Sequence, residues 1–262
     1  MRCKNITRML SKVINSFLNL VGLHVIKKNT WQHIESLKID KLHLFKMSSI
    51  DTLITKENPV IFDIGSDVGN TVQLYKSIFK NPIIHCFEPN PYSFQMLKNR
   101  FRTDYDVICN NVAIGGKIAN LPFFIRKMDS KSGLFKLKQD ISHWKKSPLF
   151  DIREEILSSV QTIDAYCNQN NIDFIDFLKI DTEGNSVGVL KGSNQLIANK
   201  KISVIQTEVL MDLYNSETIY EIEKILSPNR YNLFTIFGMG FWPSGKIRGC
   251  NLIFVSSEHS VT

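Results

Sequence analysis

Three short stretches of this chain set acids and glycines where they could meet a small polar ligand. The first is Val60-Ile61-Phe62-Asp63-Ile64-Gly65-Ser66-Asp67-Val68-Gly69-Asn70, an apolar run entering Asp-x-Gly-x-x-x-Gly ahead of a helical pattern. Glycine lets a chain turn sharply and approach a ligand closely, and the helix start beyond offers free N–H groups and a positive dipole end. The dinucleotide pattern Gly-x-Gly-x-x-Gly needs its first two glycines two apart to seat a pyrophosphate, and this loop lacks that spacing. Asp63 would repel a pyrophosphate and suits a ligand with an ammonium group. The second stretch, Cys86-Phe87-Glu88-Pro89, ends the next apolar run. A carboxylate at a second strand tip is placed to accept both hydroxyls of a ribose. The third, Phe177-Leu178-Lys179-Ile180-Asp181-Thr182-Glu183-Gly184, sets Lys179, Asp181 and Glu183 at alternating positions, which point to one face of a strand. Three charges there are costly unless paired or open to a cleft.

A glycine loop followed by an acid at the second strand tip describes a nucleoside with no phosphate at the loop. S-adenosyl-L-methionine is the common cofactor of that kind, and its sulfonium and ammonium groups favour an acidic pocket. Asp181 and Glu183 then border the reacting methyl group and are the candidate bases. His143, beside Trp144, is the mobile alternative. Glu208, which ends Val204-Ile205-Gln206-Thr207-Glu208, is a candidate acid on the acceptor side. Asp181, Glu183 and Glu208 are oxygen ligands of the type a hard divalent ion takes, but carboxylates near a sulfonium need no metal to explain them, and none is expected. His85 reads as a core residue.

The elements that must hold these residues alternate. Apolar β-branched or aromatic runs fall at residues 60–62, 83–87, 107–109, 174–180, 204–205, 233–237 and 252–255. Helical patterns fall at residues 71–79, 91–101, 152–169, 186–198 and 216–226, and residues 121–126 read as an inserted hairpin arm. Such alternation predicts a doubly wound, mostly parallel sheet with helices on both faces, and ligands at the carboxyl ends of its strands. Ahead of it, Ile6, Met9, Leu10, Val13, Ile14, Phe17, Leu18 and Val21 recur at helical steps, and a second helical stretch covers residues 30–53. The predicted division is a basic helical extension over residues 1–55 and a catalytic domain over residues 56–262.

Charge separates the same two parts. Residues 1–46 hold nine of the 32 Lys and Arg and two of the 25 Asp and Glu, which is the whole net charge of +7. A uniformly basic nucleic-acid binder would not look like this. The basic helix could dock on the domain, pair with a second copy, or lie on an anionic membrane surface. Within the body, Arg126, Lys127, Lys131, Lys136, Lys138, Lys145 and Lys146 form a basic insert that could meet an anionic acceptor such as a nucleotide-linked sugar. No apolar run approaches the roughly 18–20 residues of a membrane-spanning helix, and no secretory leader is apparent. Five scattered cysteines with no Cys-x-x-Cys pair argue against disulfides or zinc and fit a reducing cytoplasm.

From Pro59 to Val255 the sequence resembles the FkbM-type S-adenosylmethionine-dependent methyltransferases, mostly O-methyltransferases. The resemblance is carried by Phe62-Asp63-Ile64-Gly65 with Gly69, by Phe87-Glu88-Pro89, by Asn111-Val112-Ala113-Ile114-Gly115, by Thr162-Ile163-Asp164, and by Leu178 to Gly192. It implies a class I, Rossmann-like fold of seven strands. It places Asp63, Gly65, Gly69 and Glu88 at the cofactor, with the loop residues Ser66 and Asp67, the adjoining Pro89, and Asp181 beside them. Asn111 and Val112 lie near the adenine by the same analogy. Ser66-Asp67 stands where the family often has Ala-Asn, which adds a negative charge near the methionine moiety, and Ser186 stands where an acid is frequent. The implied activity is O-methylation of a small-molecule or glycan acceptor at a sugar hydroxyl. The alternatives are a cofactor-binding homologue without turnover and a nicotinamide-dependent oxidoreductase.

Overall fold

The computed structural model describes residues 50–136, 148–211, 218–241, 245 and 247–259. The first predicted helix, and all of the second except its last turn (Ile50–Leu53, which is helical), lie outside them. The elements below belong to one compact unit that begins at Leu53.

Seven strands build the central sheet: β1 (Val60–Ile64), β2 (Ile83–Phe87), β3 (Val107–Asn110), β7 (Ile175–Ile180), β8 (Ile202–Val209), β9 (Tyr231–Phe241) and β10 (Ile247–Ser256). Their order is β3-β2-β1-β7-β8-β10-β9, with β10 antiparallel to both of its neighbours. The remaining pairs are parallel, so β1 lies between β2 and β7 and the carboxyl ends of all three meet. β7 is buried along its whole length, as a strand covered on both faces must be. Six helices run with the strands: α1 (Asn70–Ile78), α2 (Pro91–Arg100), α3 (Ile163–Asn170), α4 (Ser186–Lys191), α5 (Asn194–Ala198) and α6 (Ile219–Leu226). Phe62, Phe87, Tyr166, Leu178, Ile180, Ile205 and Phe254 belong to the main core cluster. His85 is a core residue, as expected, with Nδ1 2.9 Å from the Tyr166 hydroxyl.

Two predicted elements are corrected. Residues 152–169 are not one helix: β6 (Ile152–Gln161) pairs antiparallel with β5 (Ala119–Arg126), and only the part after Thr162 is helical. β6 also pairs with the short β4 (Ala113–Ile114), which makes a separate three-stranded sheet, β4-β6-β5. The predicted hairpin arm is thus real, but its second strand is the segment read as helix. The four-residue steps of Ile152, Ile156 and Val160 imitate a helix face, whereas in the strand Ser158 and Val160 turn inward and Leu157 is 71% exposed. Residues 186–198 are two helices, Ser186–Lys191 and Asn194–Ala198, and at Gly192 between them a Cβ would stand 2.1 Å from the carbonyl oxygen of Gly115.

Candidate active site

The glycine loop leaves β1 and is stitched to the end of β2. The N–H groups of Gly65 and Ser66 donate to the carbonyl of Phe87, and the Phe87 N–H donates back to Ser66 Oγ. Gly65 has φ +84, and a Cβ on it would lie 1.8 Å from the carbonyl oxygen of Asp181. This is the close approach for which a glycine is required, and it brings the ends of β1 and β7 together. Gly69 also has positive φ, but a Cβ there would strike Phe101 and Leu97, so it lets α1 start against α2 and does not line the cavity.

Above the loop lies a cavity of about 250 Å³ whose walls include Gly65, Ser66, Asp67, Glu88, Pro89, Val112 and Asp181 from the expected set. Asp63 and Asn111 do not line it. Asp63 is completely buried, and the ammonium it holds is not a ligand's but that of Lys179, 3.1 Å from Oδ1. Lys179 also lies 3.3 Å from Asp181 Oδ2, so one buried lysine bridges two carboxylates. Asn111 Nδ2 donates to the carbonyls of Glu88 and Pro89 and fixes the tip of β2. The extra acid of the loop, Asp67, accepts the Ser93 hydroxyl at 2.7 Å while its backbone N–H donates to Glu88 Oε2 at 2.8 Å.

Glu88 Oε1 accepts the Asn90 N–H at 2.8 Å, so each carboxylate oxygen has one backbone donor and keeps further acceptor capacity. Burial pushes its pKa up to about 7, against the lowering effect of those two donors. At the opposite end, carboxylate oxygens of Asp181, Glu183 and Glu208 lie within 4.8 Å of one another. Burial raises Asp181, but Lys179, Lys131 and a hydrogen bond from Glu208 outweigh it and hold Asp181 below the ordinary carboxylate range. Burial and the two neighbouring acids drive Glu208 well above the ordinary carboxylate range. Glu183 Oε1 accepts from Lys131 Nζ at 2.5 Å. Asp181 is therefore the member that is both ionised and open to the cavity, with 41% of its side chain exposed. Two lysines already compensate this cluster, and a divalent ion would have to compete with them.

The cavity wall that the sequence did not reveal is a strap between β5 and β6. Asp129, Ser130, Lys131, Ser132 and Leu134 line it. A 3₁₀ turn at Asp129–Lys131 begins the strap; Asp129 accepts from Asn90 and Arg153, and Gly133 pairs with Phe124. This narrows the reading of the basic insert. Arg126 is 1% exposed, Lys127 pairs with Asp151, and Lys131 is committed to Glu183, so none of these is a free cation awaiting an anion. Lys136 lies over the Phe124 ring. Lys138, His143, Lys145 and Lys146 fall outside the described residues. The strap's composition carried no periodic signal. Gly133 amid serines and lysines was its one local mark.

A doubly wound sheet with a phosphate-free glycine loop, an acid at the second strand tip and further acids at the fourth defines a class I methyltransferase. The family model of the methyltransferase FkbM domain matches residues 63–233, and the chain belongs to that family. Its similarity to the 2-O-methyltransferase NoeI of Sinorhizobium fredii is 24% identity over 176 residues, 66% of this chain and 70% of that one. Among solved structures it is similar to a methyltransferase FkbM from Methylobacillus flagellatus (16% identity, TM-score 0.46, 75% of this chain and 44% of that one). It is also similar to a precorrin-6y C5,15-methyltransferase from Geobacter metallireducens (10% identity, TM-score 0.43, 84% and 93%). Family membership makes S-adenosylmethionine the cofactor and sets the nicotinamide alternative aside. The residues present fit it: Gly65 lets the loop close against the end of β7 and lines the cavity, Glu88 has acceptor capacity for a ribose diol, and Phe87, Val112 and Ile114 give an apolar wall for a base. No helix among the described residues is long and apolar enough to cross a membrane.

Proposed function

We propose that the protein is an O-methyltransferase acting on a hydroxyl of a sugar or sugar-like acceptor, with Asp181 as the base. The observation that carries this reading is the part-exposed carboxylate of Asp181, which lines the cavity and is held by Lys179. The name of the relative, a 2-O-methyltransferase, supports oxygen as the methylated atom. The sugar class follows from the family resemblance. Asp181 is preferred over Glu183 because Lys131 already occupies the Glu183 carboxylate.

When bound, S-adenosylmethionine supplies a methyl carbon on a sulfonium, and the carbon–sulfur bond breaks as the acceptor oxygen bonds to that carbon. The protein's share is alignment of oxygen, carbon and sulfur and removal of the hydroxyl proton, which passes to Asp181. Gly65 lets the loop come close, Glu88 would hold the ribose, and Lys179 keeps Asp181 oriented.

A screen of glycosides, oligosaccharides and sugar nucleotides for the mass gain of one methylene group tests the class. Asp181→Asn is expected to slow turnover by about 10²–10⁴-fold, the usual share of a general base, with S-adenosylhomocysteine affinity changed only a few-fold. The deficit should shrink at high pH, where more acceptor is already ionised, and a chelator should change little. Full turnover in Asp181→Asn would move the base elsewhere, with Glu183→Gln and His143→Ala next. Cofactor binding with no turnover across the screen favours the homologue without activity.

A further inference from the structure

Arg126 ends β5 almost wholly out of contact with solvent, and its recorded bonds go to the strap. A buried guanidinium is expensive unless its donors are filled. Nη1 donates to the carbonyl of Lys131 at 2.5 Å and Nη2 to the carbonyl of Phe135 at 2.8 Å. The Arg126 backbone N–H donates to Ser132 Oγ at 3.0 Å. Nε has no partner among the described residues. The three bonds fall on one short stretch, residues 131–135, which has a single strand-like pairing of its own, Gly133 with Phe124.

That stretch is the wall of the cavity opposite the glycine loop. Ser130, Lys131, Ser132 and Leu134 line it, and Lys131 reaches across to Glu183. Gly133 lies against the turn after β7, where a Cβ would stand 3.4 Å from the Glu183 Cβ. A guanidinium can fill two carbonyls at once because its donors form a rigid fork, and a lysine ammonium in its place can satisfy fewer in fixed geometry.

We infer that Arg126 is a positioning residue: its buried guanidinium, bound to the carbonyls of Lys131 and Phe135, holds the strap where Lys131 meets Glu183 and so fixes the acceptor-side wall of the cavity. This rests on the reading of the cavity as the methyl-transfer site with the acceptor beside Asp181. Arg126 does not line the cavity. It acts through Lys131, whose ammonium pairs with Glu183, and its own charge adds to the field that lowers Glu183.

Hydrogen exchange of the full chain tests this without an acceptor. In Arg126→Met the amides of residues 132–135 should exchange roughly tenfold faster or more, the equivalent of one charge-assisted hydrogen bond. Residues 177–180 of β7 should be unchanged. Arg126→Lys should recover part of the protection, and it carries the test if Arg126→Met does not fold. With an acceptor from the screen, Arg126→Met should raise the acceptor KM about tenfold or more, with kcat and S-adenosylhomocysteine affinity within about threefold, and Arg126→Lys should recover much of the KM. Unchanged exchange at 132–135 in a folded Arg126→Met overturns the inference. So does faster exchange with an unchanged acceptor KM, which would make Arg126 a packing residue only. Full turnover in Asp181→Asn would sink the reading of the base and leave the exchange result as it is, so the two failures are distinguishable.

Discussion

Lys179 and Lys131 each hold a carboxylate that forms part of, or lies beneath, the same cavity, yet they reach it from differently built regions. Lys179 is a strand residue of β7, 5% exposed, with Asp63 on the registered position of β1 and Asp181 two residues on. Lys131 is 31% exposed and rides on a strap held by side chains, Arg126 to its carbonyls and Asn90 and Arg153 to Asp129, and by one backbone pairing, Gly133 with Phe124. The floor of the site is thus set by a continuous strand ladder and the strap by a few separate ties, one backbone pairing and several side-chain bonds. A ladder tolerates the loss of one bond, whereas a strap tied at a few points loses its position when one tie goes. This difference would suit the proposed site, in which the floor holds the cofactor and the wall meets the acceptor.

The largest effect that would test this contrast is on stability. Lys179→Met leaves Asp63 and Asp181 without their counterion and should cost about 3–5 kcal/mol of unfolding free energy, the range for breaking a buried ion pair from one side. Chemical denaturation measures it, and a loss no greater than that of Lys131→Met would erase the distinction between floor and wall.

Next is cofactor affinity. Glu88→Gln should weaken S-adenosylhomocysteine binding by about 1.5–3 kcal/mol, as for a hydrogen bond to a charged partner. Because burial lifts Glu88 from its ordinary 4.5 to about 7, affinity in the parent should fall as pH drops from 8 to 6 and the carboxylate gains a proton, while Glu88→Gln should be flat by calorimetry. Stability of the unliganded protein runs the other way. The contribution of a raised acid is full below 4.5 and is lost as pH rises through 7.

Smaller still is Lys131→Met. Its lysine is part-exposed and screened, so it should cost about 1 kcal/mol or less in stability while loosening the strap in hydrogen exchange. Leu157→Ser, on the exposed face of β6, should stay within about 0.5 kcal/mol, and a larger loss would mean that the arm packs against something on that face.

The same contrast explains what was legible in the sequence. β1, β2 and β7 are apolar runs long enough to be recognised, and Gly65, Glu88 and Asp181 sit at their ends, so the floor could be read from spacing alone. What spacing could not show is that Asp63 has a partner inside the protein: it is 116 residues from Lys179, and only the parallel register of β1 and β7 joins them. By sequence Gly69 resembles a ligand-side glycine, because its φ requirement is the same whether a cofactor or the side chains of Phe101 and Leu97 lie beside it. The strap was invisible for a stronger reason. Arg126 is an ordinary polar residue by composition, and its burial depends on carbonyls whose positions no local pattern encodes.

The place of β1 between β2 and β7 also has a consequence during synthesis. A nascent chain has β1, the glycine loop and β2 long before residues 175–180 exist, so the second flank of β1 stays uncovered and Asp63 waits for Lys179. At roughly 5–20 residues per second the interval is on the order of 4–19 s, ample time for an apolar strand edge to find a wrong partner. The arm and its strap are made within that interval. The cofactor floor is therefore completed only after the wall that covers it has left the ribosome, and a cell that slows translation between β2 and β7 lengthens the exposure of β1 in direct proportion.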